Sequence, residues 1–192
     1  ARFASQFEIP EDLETAPENL AIEDKWILAE FNATMDTVKT AWENLDIYSA
    51  TQALKTFGTG VLPSHYLEMV KSRLYDDDVA ASWTLHRIVR DFMSAFTPVC
   101  PFFTHHISES IYGKSAVDVH SFPAPAEPSV YLDTEEGDRL RNLSAAVQTF
   151  NGETWNSKKE QGISLNQPVS GIKIPDELLD FTSILTRMHH LE

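Results

Sequence analysis

The sequence has little cysteine and lacks any long hydrophobic run. Cys100 is its single cysteine, which excludes an internal disulfide framework and fits a reducing compartment. No apolar stretch approaches the roughly 18 to 20 residues that a membrane-spanning helix needs, and the first residues lack the apolar core of a signal peptide. We therefore expect a soluble, cytoplasmic chain that does not engage a membrane.

Positive charge is also scarce. Lys and Arg total 15 against 29 Asp and Glu, which gives a formal net charge of −14. Such a surface argues against nucleic acid as a partner, because phosphate binding depends on local cations. The basic residues fall in local groups, however, so a patch can still be basic on an acidic chain. These groups are Lys71 with Arg73, Arg87 with Arg90, Arg139 with Arg141, and Lys158 with Lys159.

Apolar residues at helical spacing predict a bundle of about five helices. Six of them step by three or four residues and define one stripe of a first helix over about residues 19–44: Ile27, Phe31, Met35, Val38, Trp42 and Leu45. A second helix begins at Ile47 and is expected to end at Gly58-Thr-Gly60, since glycine permits a left-handed cap. The remaining predicted helices begin at Pro63, at the acids of residues 76–78, and at about residue 103.

The chain divides into three predicted parts. Residues 1–18 show no periodicity and indicate a linker from a missing upstream domain. Residues 19–123 form the helical bundle, with an extended piece expected at 117–120. Residues 124–192 form a small C-terminal subdomain made of a helix, a short strand at Val169 to Ile174, and a closing helix. The expected fold class is mainly α, with a small α/β C-terminal appendage.

No constellation of residues indicates catalysis in this chain. Neither type of glycine-rich phosphate loop is present, and no G-x-S-x-G nucleophile elbow occurs. His105 and Glu109 lie one helical turn apart and could face a cation together, but a zinc site needs three or four protein ligands. We expect no catalytic residue and no metal site here.

Three stretches, taken together and in order, resemble the anticodon-binding region of the class I aminoacyl-tRNA synthetases for valine, isoleucine and leucine. They are Asp24-Lys-Trp-Ile-Leu-Ala-Glu-Phe-Asn32, His65-Tyr-Leu-Glu-Met-Val-Lys-Ser-Arg-Leu-Tyr75, and Phe96-Thr-Pro-Val-Cys-Pro-Phe-Phe-Thr104 with the following Ile111-Tyr112 and Val119-His-Ser-Phe-Pro123. Their order and spacing match over roughly residues 20–123. The resemblance implies an anticodon-binding helical bundle.

A fourth stretch favours the valine enzymes of the archaeal type. Lys158-Lys-Glu-Gln-Gly-Ile-Ser-Leu-Asn-Gln-Pro168 is similar to the tail of those enzymes. The chain also departs from the family pattern. Phe57-Gly-Thr-Gly60 and Ser64-His65 replace a tryptophan and acidic residues, His105-His106 stands where the family tends to carry acids, and Glu30 stands where it often has a basic residue.

The resemblance implies a division of labour within a longer enzyme. The family's His-Ile-Gly-His and Lys-Met-Ser-Lys-Ser motifs, which bind ATP and the adenylate, are absent from this sequence. The parent enzyme would join valine to its tRNA with ATP and Mg²⁺ in an upstream catalytic domain. This fragment would hold the anticodon end of a valine-accepting tRNA, with no cofactor, no activity of its own and no DNA partner.

The predicted RNA-facing residues lie mainly on the first helices. They are Lys25, Asn32, Lys39, Tyr48, Lys71 and Arg73 in the bundle, and Lys158 and Lys159 in the tail. Amide, hydroxyl and cationic groups can read unstacked loop bases or contact phosphates. For Lys158, Lys159 and Asn166, packing of the tail onto the bundle remains an equal alternative.

Two other interpretations stay open at this point. The chain could be the same region of an isoleucyl- or leucyl-tRNA synthetase, although an isoleucine enzyme would be expected to continue into a longer tail that often bears cysteines. It could also be a non-enzymatic helical module whose acidic surface binds a basic protein. Salt-dependent binding of tRNA would favour a synthetase fragment, whereas binding only to basic proteins would favour the interaction module.

Overall fold

The fold is an assembly of helices, as the sequence predicts. A computed structural model describes residues 1–113 and 134–192. Its α-helices are α1 (Ile22–Glu43), α2 (Ile47–Thr56), α3 (Leu67–Tyr75), α4 (Val79–Phe96), α5 (Pro101–Tyr112), α6 (Thr134–Asn142), α7 (Ser144–Glu160) and α8 (Thr182–His189). A π-helical segment (Phe57–Tyr66) joins α2 to α3, and short 3-10 helices cover Ala4–Gln6 and Asp176–Phe181. The mainly α fold class is confirmed.

Helix α1 is the centre of the packing. It contacts α2, α4 and α6, and it also touches the π-helical segment. Ile27, Phe31, Met35 and Val38 of the predicted stripe are buried, which follows from their period of three and four residues. Leu45 does not belong to this stripe, because α1 ends at Glu43 and the Leu45 side chain is 84% exposed.

Helices α2 and α3 form one continuous rod, which corrects the prediction that Gly58 and Gly60 stop a helix. The π-helical segment runs through both glycines and through Pro63, a residue that would clash within a regular α-helix. Gly58 has a packing role: a Cβ placed on it would lie 2.7 Å from Cζ of Phe92 on α4. The glycine is therefore needed for close approach of the rod to α4.

The turn between α3 and α4 confirms the expected acidic cap. The Oδ1 of Asp78 accepts a hydrogen bond of 3.0 Å from the backbone N–H of Ala81. This bond satisfies one of the donors that every helix N-terminus leaves unpaired. Asp78 also accepts from Arg73 at 2.9 Å, so the cap ties the end of α3 to the start of α4.

The N-terminal segment lies along α4. Ser82 donates a hydrogen bond of 2.5 Å to the carbonyl oxygen of Glu8, and Arg87 donates one of 2.7 Å to that of Leu13. Leu13 itself is buried. The linker predicted over residues 1–18 is thus attached to the bundle, while its connection to an upstream domain stays a prediction.

The C-terminal residues pack back onto the bundle. Helix α6 lies against α1, and α8 contacts α3. The strand predicted from Val169 to Ile174 is wrong: among the described residues it is reduced to one isolated bridge between Val169 and Leu191. Gly171, at φ 84°, departs from the extended backbone of a strand two residues after Val169. The closing helix after Pro175 is present as a 3-10 turn followed by α8.

Some sequence predictions fall outside the described residues. The extended piece at 117–120 and the boundary between residues 123 and 124 both lie in the range that the structure does not describe. Within the part of the chain that is described, no helix is long and apolar enough to cross a bilayer.

Candidate nucleic-acid interface

The eight predicted RNA-facing residues do not form one groove. Lys25 and Arg73 lie near the N-terminal end of α1, because Arg73 contacts Asp24. Lys39 and Tyr48 lie at its opposite end, beside the corner between α1 and α2. On α1, Lys25 and Lys39 are 14 residues apart, so the two groups are separated by roughly 20 Å at 1.5 Å per residue. The two ends must be considered as separate surfaces.

Arg73 has a structural role that the sequence does not reveal. Its guanidinium bonds to Glu23 at 2.9 Å, to Asp24 at 2.8 Å and to Asp78 at 2.9 Å, and only 12% of its side chain is exposed. Such a cation is already neutralised by three carboxylates. The structure gives Arg73 a role within the fold, and its contact with RNA stays a prediction, whereas Lys71 on the same helix is exposed and 3.9 Å from Glu68.

Two further predicted residues of α1 face other parts of the fold. The ammonium group of Lys25 forms an ion pair of 2.9 Å with Glu136, which links α1 to α6. Asn32 is 5% exposed, and its amide nitrogen has no hydrogen-bond partner among the described residues. Asn32 is therefore buried in the fold, and the contact of its amide with a base stays a prediction.

Lys158 is buried and organises the tail. Its ammonium group donates hydrogen bonds of 2.7 Å to the carbonyl oxygen of Leu165 and 2.6 Å to that of Gln167. Burial lowers the pKa of Lys158. These bonds support the packing alternative for Lys158, and the contact of its side chain with RNA stays a prediction. Lys159 and Asn166 are exposed, so their side chains remain available.

The corner between α1 and α2 has a well-defined backbone. The N–H of Leu45 donates to the carbonyl of Trp42 at 3.0 Å, and the N–H of Asp46 donates to that of Ala41 at 2.8 Å. This pair of bonds is the Schellman ending of a helix. Asp46 then caps α2, since its carboxylate accepts from the N–H of Ser49 at 2.9 Å. Backbone and cap bonds together fix the corner.

Three large side chains project into solvent from this corner. Leu45 is 84% exposed, Ile47 is 57% exposed and Tyr48 is 74% exposed. Only Tyr48 was predicted as a contact residue, because the helical spacing had assigned Leu45 and Ile47 to core stripes. The signal that could have identified them is Asp46, a helix-capping residue between two apolar ones, which places a chain reversal there.

The charge around the corner is mixed, because the exposed acids Glu43 and Asp46 lie at the corner and two exposed lysines lie further along the helices. Lys39 near the end of α1 and Lys55 near the end of α2 are both exposed, and neither forms an ion pair among the residues described. Lys55 was not among the predicted contacts. An aromatic ring and aliphatic side chains flanked by isolated cations suit a nucleobase next to its phosphate. We refer to Lys39, Leu45, Ile47, Tyr48 and Lys55 as the corner surface.

The histidine pair that sequence analysis considered for metal binding has a simple local arrangement. Nε2 of His105 lies 3.7 Å from a carboxylate oxygen of Glu109, one turn further along α5. Within residues 1–113 and 134–192, no group of three or more potential ligands comes together.

Comparison with known proteins places the chain in a family. Residues 24–173 match the family model described as the anticodon-binding domain of tRNA ligase. This match covers most of the sequence. The chain therefore belongs to the anticodon-binding domains of tRNA ligases.

The individual relatives are valine–tRNA ligases of archaea. The chain is 35% identical over 154 residues to the enzyme of Saccharolobus solfataricus, covering 80% of this chain and 18% of that protein. It is 35% identical over 162 residues to that of Methanothrix thermoacetophila, covering 81% and 17%. For Aeropyrum pernix the identity is 30% over 184 residues, covering 91% and 21%. The chain thus spans roughly a fifth of the length of these relatives.

Proposed function

We propose that this chain binds the anticodon loop of a valine-accepting tRNA, within an enzyme that joins valine to that tRNA using ATP. Membership in the anticodon-binding family supports the RNA partner. The valine–tRNA ligases among its relatives support the choice of valine over isoleucine or leucine. Because tRNA charging serves translation, the proposal places the protein in the cytoplasm.

The corner surface carries the proposal. Tyr48 offers an exposed aromatic plane on a fixed corner, and stacking of one base on such a plane contributes about 1 to 3 kcal/mol. Lys39 lies on the last turns of α1, and Lys55 lies eight residues beyond Ile47 along α2, roughly 12 Å away, so both could contact the backbone of a loop seated at the corner. Lys71 and Lys159 are exposed elsewhere and would add weaker phosphate contacts.

Catalysis belongs to a different part of the proposed enzyme. The ATP and Mg²⁺ that drive amino-acid activation would be held by an upstream catalytic domain, which would also be a partner of this chain. The role of residues 1–192 is to position the tRNA. Neither DNA nor a membrane is a partner in this proposal.

A binding titration tests the proposal directly. The chain is titrated with a valine tRNA transcript and with transcripts of altered anticodon, at two salt concentrations. We expect tighter binding of the native anticodon, and a slope of log K against log salt near −3 if Lys39, Lys55, Lys71 and Lys159 each neutralise one phosphate. The same titration in the full-length enzyme shows whether neighbouring domains are needed.

Two tyrosine variants make the test specific. Tyr48→Ala is expected to weaken binding by about 1 to 3 kcal/mol. Tyr75→Ala is the matched control, because Tyr75 is 58% exposed but lies at the end of α3, away from the corner. Equal affinity for native and altered anticodons, in both the chain and the full-length enzyme, would overturn the proposal.

The acidic charge of the chain favours one alternative function, binding of a basic protein. The formal charge of −14 suits a helical module that binds a basic protein. A pull-down with basic proteins at low and high salt, run beside the tRNA titration, separates the two. Binding of basic proteins without binding of tRNA would support the interaction module.

A further inference from the structure

Three helices of the described chain end in the same backbone motif with a residue other than glycine at the left-handed position, and α7 ends in it with Gly162. The residue just beyond each end adopts a left-handed conformation: Leu45 after α1 at φ 58°, Asp77 after α3 at φ 56°, and His190 after α8 at φ 50°. At each end the same two backbone hydrogen bonds close the turn. Glycine is the residue that usually occupies this position, since it has no Cβ to clash.

Leu45 is the unusual member of this group. Aspartate and histidine are enriched at left-handed positions, whereas a bulky aliphatic residue there is an outlier. The leucine gives the fold no compensating contact, because 84% of it is exposed to solvent. The bonds that fix the corner are made by the backbone and by the carboxylate of Asp46, so they do not need the leucine side chain.

Strain that is not offset within a fold points to a role outside it. The neighbours of Leu45 indicate what that role is. Tyr48 stands three residues further on with its ring 74% exposed, and Ile47 is 57% exposed between them. Exposed apolar and aromatic groups match the faces of an unpaired base, and Lys39 on the last turns of α1 can contact its phosphate.

We propose that Leu45 is a specificity-determining residue, held in a strained conformation so that its side chain packs against an unpaired loop base that stacks on Tyr48. This inference rests on the proposed function and deepens it by naming an apolar contact at the same surface. The recognised feature is a base extruded from a single-stranded loop, and a paired stem does not satisfy it.

The strain gives the inference a distinctive signature. Leu45→Gly removes both the strain and the side chain, so it is expected to raise the melting temperature by roughly 1 to 4 °C. The same variant is expected to weaken binding of an anticodon stem-loop hairpin by roughly three- to tenfold. Leu45→Ala keeps the strained position but removes the contact, so it should lose affinity without gaining stability.

Asp77→Gly serves as the matched control. It also replaces a left-handed residue at a helix end by glycine, but at the end of α3, beside the ion pairs of Arg73 with Asp78 and Asp24. We expect no change in hairpin affinity and a smaller change in melting temperature, because aspartate already tolerates the left-handed conformation. An equal loss of affinity in Asp77→Gly would show that the effect of Leu45→Gly is not local.

A combined RNA and protein cycle identifies the contacted base. Hairpins with a single abasic position in the loop are titrated against the wild-type chain and Leu45→Gly. When the abasic position is the base that Leu45 contacts, the hairpin should bind wild type and Leu45→Gly equally, because the contact between Leu45 and that base is already absent. If wild type binds the hairpin and Leu45→Gly binds it equally well, the inference fails while the proposed function stands. If wild type binds the native hairpin no better than a scrambled one, the proposed function fails, and Leu45 would then serve a protein partner.

Discussion

Tyr66 and Asp24 meet in the core although 42 positions separate them, and the Tyr66 hydroxyl donates a hydrogen bond of 2.9 Å to Oδ1 of Asp24. The other oxygen of Asp24 accepts a hydrogen bond of 3.1 Å from the backbone N–H of Ala21, just before α1, and lies 2.8 Å from Arg73. Burial raises the pKa of Asp24 to about 6, and Arg73 acts in the opposite direction. The carboxylate thus joins the start of α1 to the rod formed by α2 and α3.

Removal of this hydroxyl should destabilise the fold. In Tyr66→Phe the buried carboxylate loses one hydrogen-bond donor, which is expected to cost about 1 to 3 kcal/mol. Urea denaturation with an unchanged m-value measures the difference. Tyr48→Phe is the control, because the Tyr48 hydroxyl belongs to an exposed side chain. Equal midpoints for the two variants would contradict the assigned role.

Replacement of the two glycines of the π-helical segment by alanine should have different effects on the stability of the fold. Gly58→Ala places a Cβ at 2.7 Å from the ring of Phe92, and such overpacking costs about 1 to 3 kcal/mol. A Cβ on Gly60 meets no atom within 4 Å. Gly60→Ala should therefore be neutral or stabilise by up to about 1 kcal/mol, since alanine favours helices. Thermal unfolding of both variants decides whether Gly58 is a packing residue or a flexible stop.

Much of the fold could be predicted from the sequence, since apolar spacing reports which helical faces are buried. The stripe on α1 and the cap at Asp78 are examples. Gly58 misled the prediction because glycine signals a helix end and a close contact equally well, and only the position of Phe92 separates the two. The bridge at Val169 depends on a partner, Leu191, that strand propensity does not indicate.

The site was less predictable for an electrostatic reason. The sequence does not show whether a lysine or arginine faces solvent or a carboxylate that folding brings close. Arg73 meets Asp24 and Lys158 meets two carbonyl groups, so both have partners within the fold. Leu45 is an error of the opposite kind. Its spacing predicts a buried position on α1, but the helix ends at Glu43 and the Leu45 side chain is exposed.

Adjacent lysines at the end of α7 provide a third prediction. Lys158→Met leaves the carbonyl groups of Leu165 and Gln167 without their buried donor, so we expect a loss of roughly 1 to 3 kcal/mol in unfolding free energy. Lys159→Met should leave stability within about 0.5 kcal/mol, because Lys159 is exposed. Chemical denaturation of the two variants separates them, and similar losses would argue against the buried contacts of Lys158.

The junction between the tail and the bundle consists of neutral polar groups. His189 is 1% exposed, and its Nε2 lies 2.8 Å from Oδ1 of Asn151, whose Nδ2 lies 3.2 Å from Nδ1 of His65. The ring of Trp155 stacks on His65 with centroids 5.6 Å apart. Burial, with the positive charges of Lys158 and His190, lowers the pKa of His189 to about 4, and burial also lowers that of His65.

Acid should therefore weaken the attachment of the tail. An unfolded histidine takes up a proton near pH 6.5, whereas folded His189 resists protonation until about pH 4, so stability falls as the pH drops through this window. The loss is at most roughly 3 kcal/mol between pH 7 and pH 4. The raised pKa of Asp24 acts in the opposite sense over the same range, so the informative quantity is the difference between wild type and His189→Gln, which both retain Asp24. Urea midpoints at half-unit pH steps should fall less steeply for His189→Gln, and parallel curves would show that His189 is not the group that titrates.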